Sequence, residues 1–407
     1  MPFRVALSGL NASSADLEIT GNNIANSNTH GFKASRGEFA DVYAVAFQGI
    51  SSTAIGNGVR LADVSQQFSQ GNIDFTDNSL DLAINGQGFF IMENANGASS
   101  YTRAGAFHID RDGFIVNSSD SKLQIFPAIN NGAAFNTGVL SDLQLSLADG
   151  QPQSTGNVTV GLNLPANAAV PTVAIFDPNN PLSYTNSTST TVYDSLGGSH
   201  LTNLYYVKDA VANTWDSYVY VDGNYVDGPD TLVYDNTGAL SIPVTGQITT
   251  PAYTPANGAA DITLTFNYSN TSQYGAPFAV NTLSQDGFAA GRLAGIDIDA
   301  DGVVFARFTN GRSNPLGKVA LANFPNPQGL RQLGDTSWDA TFAAGDVLVG
   351  EGGTASFGLI QSGALESSNV EMTEQLVSLI TSQRNFQANA QVLTTADTIT
   401  QTIINIR

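Results

Sequence analysis

The two ends of the chain constrain its fold more than anything between them. Residues 3–24 place Phe3, Leu7, Leu10, Ser14, Leu17, Gly21 and Ile24 at alternating spacings of four and three, the a/d pattern of a coiled-coil seam. Leu376, Leu379, Gln383, Phe386, Ala390 and Leu393 keep the same spacing near the other end, and after a three-residue skip Ala396, Ile399, Ile403 and Ile406 resume it. Such a skip is a stammer, which locally overwinds a supercoil. The remainder of each segment is polar but almost uncharged. In the second it carries Gln383, Asn385, Gln387, Asn389 and Gln391, with Arg384 the only charge between Glu374 and Asp397. A solvated helix usually carries i,i+4 charge pairs. One such stripe alone reads as an amphipathic helix lying on its own domain. Two matched stripes at opposite ends of unlike sequence predict instead that each is buried against the other or against copies of itself. The expected assembly seam is Phe3, Leu7, Leu10, Leu17, Ile24, Leu376, Leu379, Phe386, Leu393, Ile399 and Ile403.

Composition narrows what lies between. A chain of 407 residues exceeds one simple core and implies about two to four domains. Its 42% apolar content is ample for folded cores, while 12% charged residues, 40 glycines and a net charge of −20 resemble secreted β-rich proteins more than cytosolic enzymes. Cysteine is absent, which rules out disulfides, thiol chemistry and cysteine metal sites. The first nineteen residues contain Arg4, Asp16 and Glu18 and no continuous apolar core, so export would use a route that reads no cleaved signal. No apolar run is long enough for membrane insertion. From Leu123 to Gly291 the only Lys or Arg is Lys208, which leaves no basic cluster for nucleic acid.

The first helix is expected to end near Gly21-Asn22-Asn23, residues favoured at helix C-termini. The following run, from Asn22 and Asn23 through Ala25, Asn26, Thr29, His30, Gly31 and Phe32 to Lys33, closely resembles the N-terminal signature of the flagellar axial proteins, the family of rod, hook and hook–filament junction subunits. The run Leu365-Glu366-Ser367-Ser368-Asn369-Val370-Glu371, followed by Gln383, Arg384, Asn385, Phe386, Gln387, Ala388 and Asn389, resembles their C-terminal signature. Two inner stretches extend the likeness: Asp81 to Phe90, and Tyr101-Thr102-Arg103-Ala104-Gly105. Together the similarity covers roughly residues 1–145 and 285–407.

Residues 34–75, punctuated by Gly49, Gly56, Gly58 and Gly71, read as an irregular connector with short extended pieces such as Val59-Arg60-Leu61. From about residue 76 the hydrophobic period becomes two. Leu80, Leu82 and Ile84 lead to Asn85-Gly86, a strong hairpin signal, with Phe89 to Met92 as the expected returning strand. Phe107 and Ile109 face Phe114 and Val116 across Asp112-Gly113, and Ile296 and Ile298 face Val304 and Phe305 across Asp301-Gly302. Residues 146–284 hold ten Asp, one Lys and no Glu, a formal charge of −9, with β signals around Tyr218–Val221 and at Ile262, Leu264, Phe266 and Tyr268. The predicted organisation is an N-terminal helix (1–33), a connector (34–75), a first β-domain in two parts (76–145 and 285–364), an inserted acidic β-domain (146–284) and a C-terminal helix (365–407). The fold class is thus multidomain, with mainly β outer domains of barrel or sandwich type and an α-helical coiled-coil domain of the paired termini.

Sites for chemistry are sparse. Asp297, Asp299 and Asp301 open like a calcium loop, but its closing acid would fall on Phe308, so an acidic hairpin turn is the better account. His30, His108 and His200 lie in different predicted domains without acids at ligand spacing. No G-x-S-x-G elbow occurs, and Gly350 to Gly353 lacks a phosphate-loop Lys. Tyr205, Tyr206, Trp215, Tyr218 and Tyr220 would suit a sugar-binding face or, more simply, sheet packing. No catalytic residue, metal or cofactor is expected.

The resemblance implies a subunit that polymerises with itself into a helical tube around an export channel. Its implied partners are the rod, hook cap and hook–filament junction proteins and the export apparatus. It implies an extracellular place in the flagellum. Within the family, the large insert points to a hook subunit, whose outer domains slide while the tube transmits torque; a distal rod subunit has the same ends without that insert and is the alternative. A reading from another class is an extracellular carbohydrate-binding β-domain with helical oligomerisation tails.

Overall fold

The structure, a computed structural model, describes residues 2–42, 56–129, 132–145, 150–354 and 356–405, with Pro2 and Ile403 described in backbone only. Gly49, Ile406 and the expected domain boundary at 145/146 therefore involve positions outside the described residues. The chain divides into two compact units: unit 1 is Met1–Leu147, Gly295–Arg307 and Ser313–Arg407, and unit 2 is Ala148–Ala294 and Phe308–Arg312. Residues 285–294, expected in the first β-domain, and residues 308–312 thus belong with the insert.

Unit 1 begins and ends in helix. Helix α1 spans Pro2–Ala25 and helix α2 spans Met372–Asn405. The first outruns its predicted end because Gly21 and Asn22 keep helical geometry, and the chain leaves through a turn in which Asn26 donates from Nδ2 to Asn22 O and Oδ1 at 2.9 and 2.8 Å. The second is one continuous helix across the expected stammer. The connector is more regular than its glycines suggest. Strands Ser35–Asp41 and Val59–Gln66 form an antiparallel ribbon with a bulge at Glu38/Phe39, and Ile73–Phe75 pairs with Ala364–Glu366.

The β core of unit 1 is sealed on both faces of its main sheet. Along Phe89–Glu93, Phe90 and Met92 join one cluster with Leu123, Ile125, Val319 and Leu321, while Phe89 and Ile91 join another with Phe126, Ala320, Ala322 and Trp338. Alternating side chains of one strand thus enter different cores, as the period of two requires. The hairpin expected at Asn85-Gly86 does not form. Leu82–Asn85 pairs with Leu359–Ser362, whereas Phe89–Glu93 pairs with Ser99–Thr102, Lys122–Ile129 and Ser313–Asn323. Gly86 and Gly88 have φ of +122° and +124°, and a Cβ on Gly86 would come within 2.9 Å of Gly358 Cα. The glycines here redirect the chain between sheets instead of reversing it. The other two expected hairpins are present, at His108–Ile109 with Ile115–Val116 and at Leu293–Ile298 with Val303–Phe308.

Unit 2 holds one core between two five-stranded sheets. One is an antiparallel meander from Asn186–Tyr193 to Leu240–Ile242; the other is built around Asn157–Pro165. Val158, Val160, Leu162 and Leu164 from the second meet Leu204, Tyr206, Trp215, Val219 and Leu232 from the first. Ile262, Leu264, Phe266 and Tyr268 are all buried there.

Candidate assembly surface

Helices α1 and α2 lie against each other in opposite directions. Asn23 Nδ2 donates to Gln375 Oε1 at 3.1 Å, Ser382 Oγ donates to Asp16 Oδ2, and Gly9 faces Asn389, whose Oδ1 would lie 2.6 Å from a Cβ on the glycine. These contacts step seven residues at a time along both helices. Among the described side chains, those buried in α1 are Ala6, Ser13, Thr20 and Asn23, and those buried in α2 are Ser382 and Ala396. The pair is therefore closed through small and polar residues, which permit close approach and were not singled out by hydrophobic spacing.

That choice leaves the apolar stripe open. Of the expected seam, Phe3, Leu7, Leu376, Phe386 and Ile399 are exposed, Leu7 by 53%, while Leu10, Leu17, Ile24, Leu379 and Leu393 are half-buried. Ile403 falls outside the described side chains. Val5, Val377, Ile380, Val392 and Ile404, off the predicted seam, add to the exposed apolar surface. A face this apolar is unusual for a solvated pair, and burying a Leu-sized side chain is worth roughly 1.5–3 kcal/mol.

The signature residues build the junction between these helices and the β core. Asn23 is buried and grips residue 35 twice, donating to Ser35 O at 2.8 Å and accepting from Ser35 N at 2.9 Å. Asn369 accepts from Ala34 N at 2.8 Å and donates to Gln67 O at 2.7 Å and Ser69 O at 3.1 Å. Thr29 Oγ1 donates to Asn26 Oδ1 at 3.2 Å, Phe32 is buried, and Val370 N donates to Ser368 Oγ at 3.3 Å. Gly31, with φ of +71°, passes so close to the core that a Cβ would meet Ala104 N at 2.4 Å. Ala25, Gln383, Arg384 and Ala388 are instead exposed, and Asn22 contributes only to the turn.

Beneath the junction lies an ion trio. Glu366 accepts from Lys33 Nζ at 2.6 Å, Arg103 Nη1 at 3.1 Å and Gly71 N at 2.9 Å, and its side chain is fully buried. Lys33 also donates to Ser69 O at 2.7 Å, and Arg103 Nη2 to Gly86 O at 2.9 Å. Burial lowers the proton affinity of both cations, and Glu366 offsets part of that. All three residues lie in the signature stretches, but only the fold brings them together.

In unit 2, His200 lies between two carboxylates, with Nδ1 2.6 Å from Asp222 Oδ2 and Nε2 3.1 Å from Asp194 Oδ2. The acid neighbours that sequence spacing did not reveal are thus supplied by two loops. Burial opposes the cation, but the two carboxylates outweigh it and raise the imidazole above its ordinary value. Burial likewise opposes the Asp194 anion, yet Asn257, His200 and the amides of Gly198 and Leu196 hold it down at about 2. Each ring nitrogen serves a different carboxylate, which is a proton-holding arrangement. Among the described residues no group of three or more His, Asp or Glu side chains is arranged to hold a metal. Tyr206 and Trp215 are core residues, and Tyr218 is covered by Phe176, stacked at 4.1 Å. Asp299 closes its turn by accepting from Asp301 N and Val303 N, as a hairpin requires.

Four sequence families match this chain in order. Residues 3–33 match the flagella basal body rod protein family, 83–174 the flagellar hook protein FlgE/F/G D1 domain, 163–288 the flagellar basal body protein FlaE D2 domain, and 361–406 the C-terminal region of the flagellar basal body rod FlgEFG proteins. Helical termini enclosing β-domains, with these matches, define an axial structural protein of the flagellum. Over full length the chain is 36% identical to the flagellar hook protein FlgE of Escherichia coli (strain K12), covering all of both chains, and 34% identical to that of Rhizobium meliloti (strain 1021), covering all of this chain and 98% of the relative. The chain belongs to the flagellar hook protein FlgE family. The crystal structure of Helicobacter pylori flagellar hook protein FlgE2 shares the fold, with a TM-score of 0.53 over 72% of this chain and all of that one at 16% identity.

Proposed function

We propose that this chain is the structural subunit of a bacterial flagellar hook, polymerising with copies of itself into a flexible helical tube. The carrying observation is the open apolar stripe on a helix pair already closed through its small and polar face. With the intramolecular contact satisfied, copies of the same chain are the natural cover. In this reading the helices line the tube around an export channel and carry torque from rod to filament. The acidic unit 2 forms an outer layer whose like charges keep neighbours weakly adhesive. The partners are the rod, the hook cap, the hook–filament junction proteins and the export apparatus. Neither catalysis nor a cofactor enters this role. The distal rod alternative is not favoured, because residues 163–288 match a D2 domain and the full-length relatives are named as hook proteins.

Electron microscopy of the full-length chain under assembling conditions, beside a version lacking residues 1–33 and 365–407, tests this. Curved tubes from the full-length chain alone are expected. Tubes from the truncated version would remove the helices from the contact surface, and discrete particles from both would overturn self-assembly of the isolated subunit.

A further inference from the structure

The junction makes one carboxylate serve both ends of the chain. Lys33 lies eight residues beyond the end of α1 and Glu366 six residues before the start of α2, while Arg103 belongs to the β core. Gly31 N, in the N-terminal segment, donates to Glu366 O at 2.8 Å, and Gly71 N, in the connector, donates to its Oε1. Two cations share a single anion in a site where the side chains of Lys33 and Arg103 are 1% and 6% exposed. Arg103 also lies over the Phe89 ring, 5.3 Å from its centroid, and donates from Nη2 to Gly86 O, two contacts made within the β core.

We propose that Glu366 is the positioning residue that makes docking of the N-terminal helical segment onto the β core of unit 1 depend on docking of the C-terminal one. Until Glu366 is in place, burying Lys33 beside Arg103 puts two like charges together without a counter-ion, a strongly unfavourable arrangement. Without Lys33, Glu366 still pairs one to one with Arg103 of the β core, so the C-terminal segment can dock first, whereas the N-terminal segment cannot. The first 33 residues therefore wait for the last 42 before α1 acquires a fixed direction. This bears on the hook reading above, since helices whose directions are both fixed present one stripe to a neighbour.

The excess of cations makes the inference asymmetric and testable. Amide hydrogen exchange on the full-length chain before polymerisation reads Gly31 and Gly71, bonded to Glu366, together with Ala364 and Ser367, bonded to Asp81 O and Asn72 O. Glu366→Gln is expected to speed exchange at all four by about a hundredfold or more, the usual scale for breaking a buried pair, with Phe90 to Met92 unchanged. Lys33→Met leaves Arg103 and Glu366 paired one to one and is expected to cost about tenfold or less. Glu366→Asp, which keeps the charge, is expected to retain much of the protection at all four positions. Continued protection of Gly31 while residues 364–367 open, or equal effects of Lys33→Met and Glu366→Gln, would overturn this dependence. Tube formation is not read in this experiment, so failure of the hook reading would leave its result intact.

Discussion

At His200 a single side chain ties together three loops of unit 2, through Asp194, Asp222 and the neighbouring Tyr253 ring at 6.0 Å. Both ring nitrogens face carboxylates, so the bound form is the imidazolium. Its folded-state proton affinity is raised, and the stabilisation is therefore fully present below the unfolded value of about 6.5 and lost as pH rises through the higher folded value. Denaturation of wild type and His200→Gln across pH 5 to 10 should show a gap that is widest at the acid end and narrows with rising pH; a gap that widens with pH would contradict the assignment. Asp194 works in the opposite sense, its contribution being lost only as pH falls towards about 2. None of this was legible in sequence, because Asp222 is twenty-two positions away and reaches the ring only through the pairing of Thr202 with Val221. The same limit hid the ion trio. Lys33, Arg103 and Glu366 were visible as members of three motifs, but their meeting depends on contacts spanning up to 333 positions.

For the terminal helices, the alternation of three and four residues was enough to place both, but it marked only part of the apolar surface they leave open, with Val5, Val377, Ile380, Val392 and Ile404 lying off it. It did not show which face each helix turns to the other. Gly9, Ser13, Asp16 and Ser382 carry no hydropathic signal, yet their small size allows the close approach the pair needs. The connector was misjudged for a related reason: its polar, glycine-marked strands are half-exposed and lack clear alternation, although they form a regular ribbon. Leu17→Asp or Phe386→Asp should block tube formation, because a charge buried in a subunit contact costs several kcal/mol. Circular dichroism should show the β-domains of either variant still folded, and normal tubes from either would remove that residue from the contact.

In the molecule as a whole, the insert is nearly self-contained. Gly150 and Gly291 bridge at its base, with N to O distances of 2.7 and 3.3 Å, so the chain enters and leaves unit 2 side by side. Composition located this unit through its run of aspartates, but not its end. Residues 285–294 and 308–312 carry no shift in composition and join it only through contacts such as Asp286 with the amides of residues 156 and 157 and Asn310 with Ala289 O. Replacing residues 151–290 with a short linker should leave unit 1 folded and tubes still able to form, with altered stiffness. Complete loss of tubes in electron micrographs would instead place unit 2 among the essential contacts.

The near absence of charge on the two helices also sets how an assembled structure would respond to its surroundings. A contact made of Leu, Ile, Val and Phe, with few ions to screen, is largely indifferent to moderate salt. Its driving force weakens on cooling, because apolar association near room temperature is entropic. Such a joint holds across fresh and saline water alike, and is at its loosest in the cold.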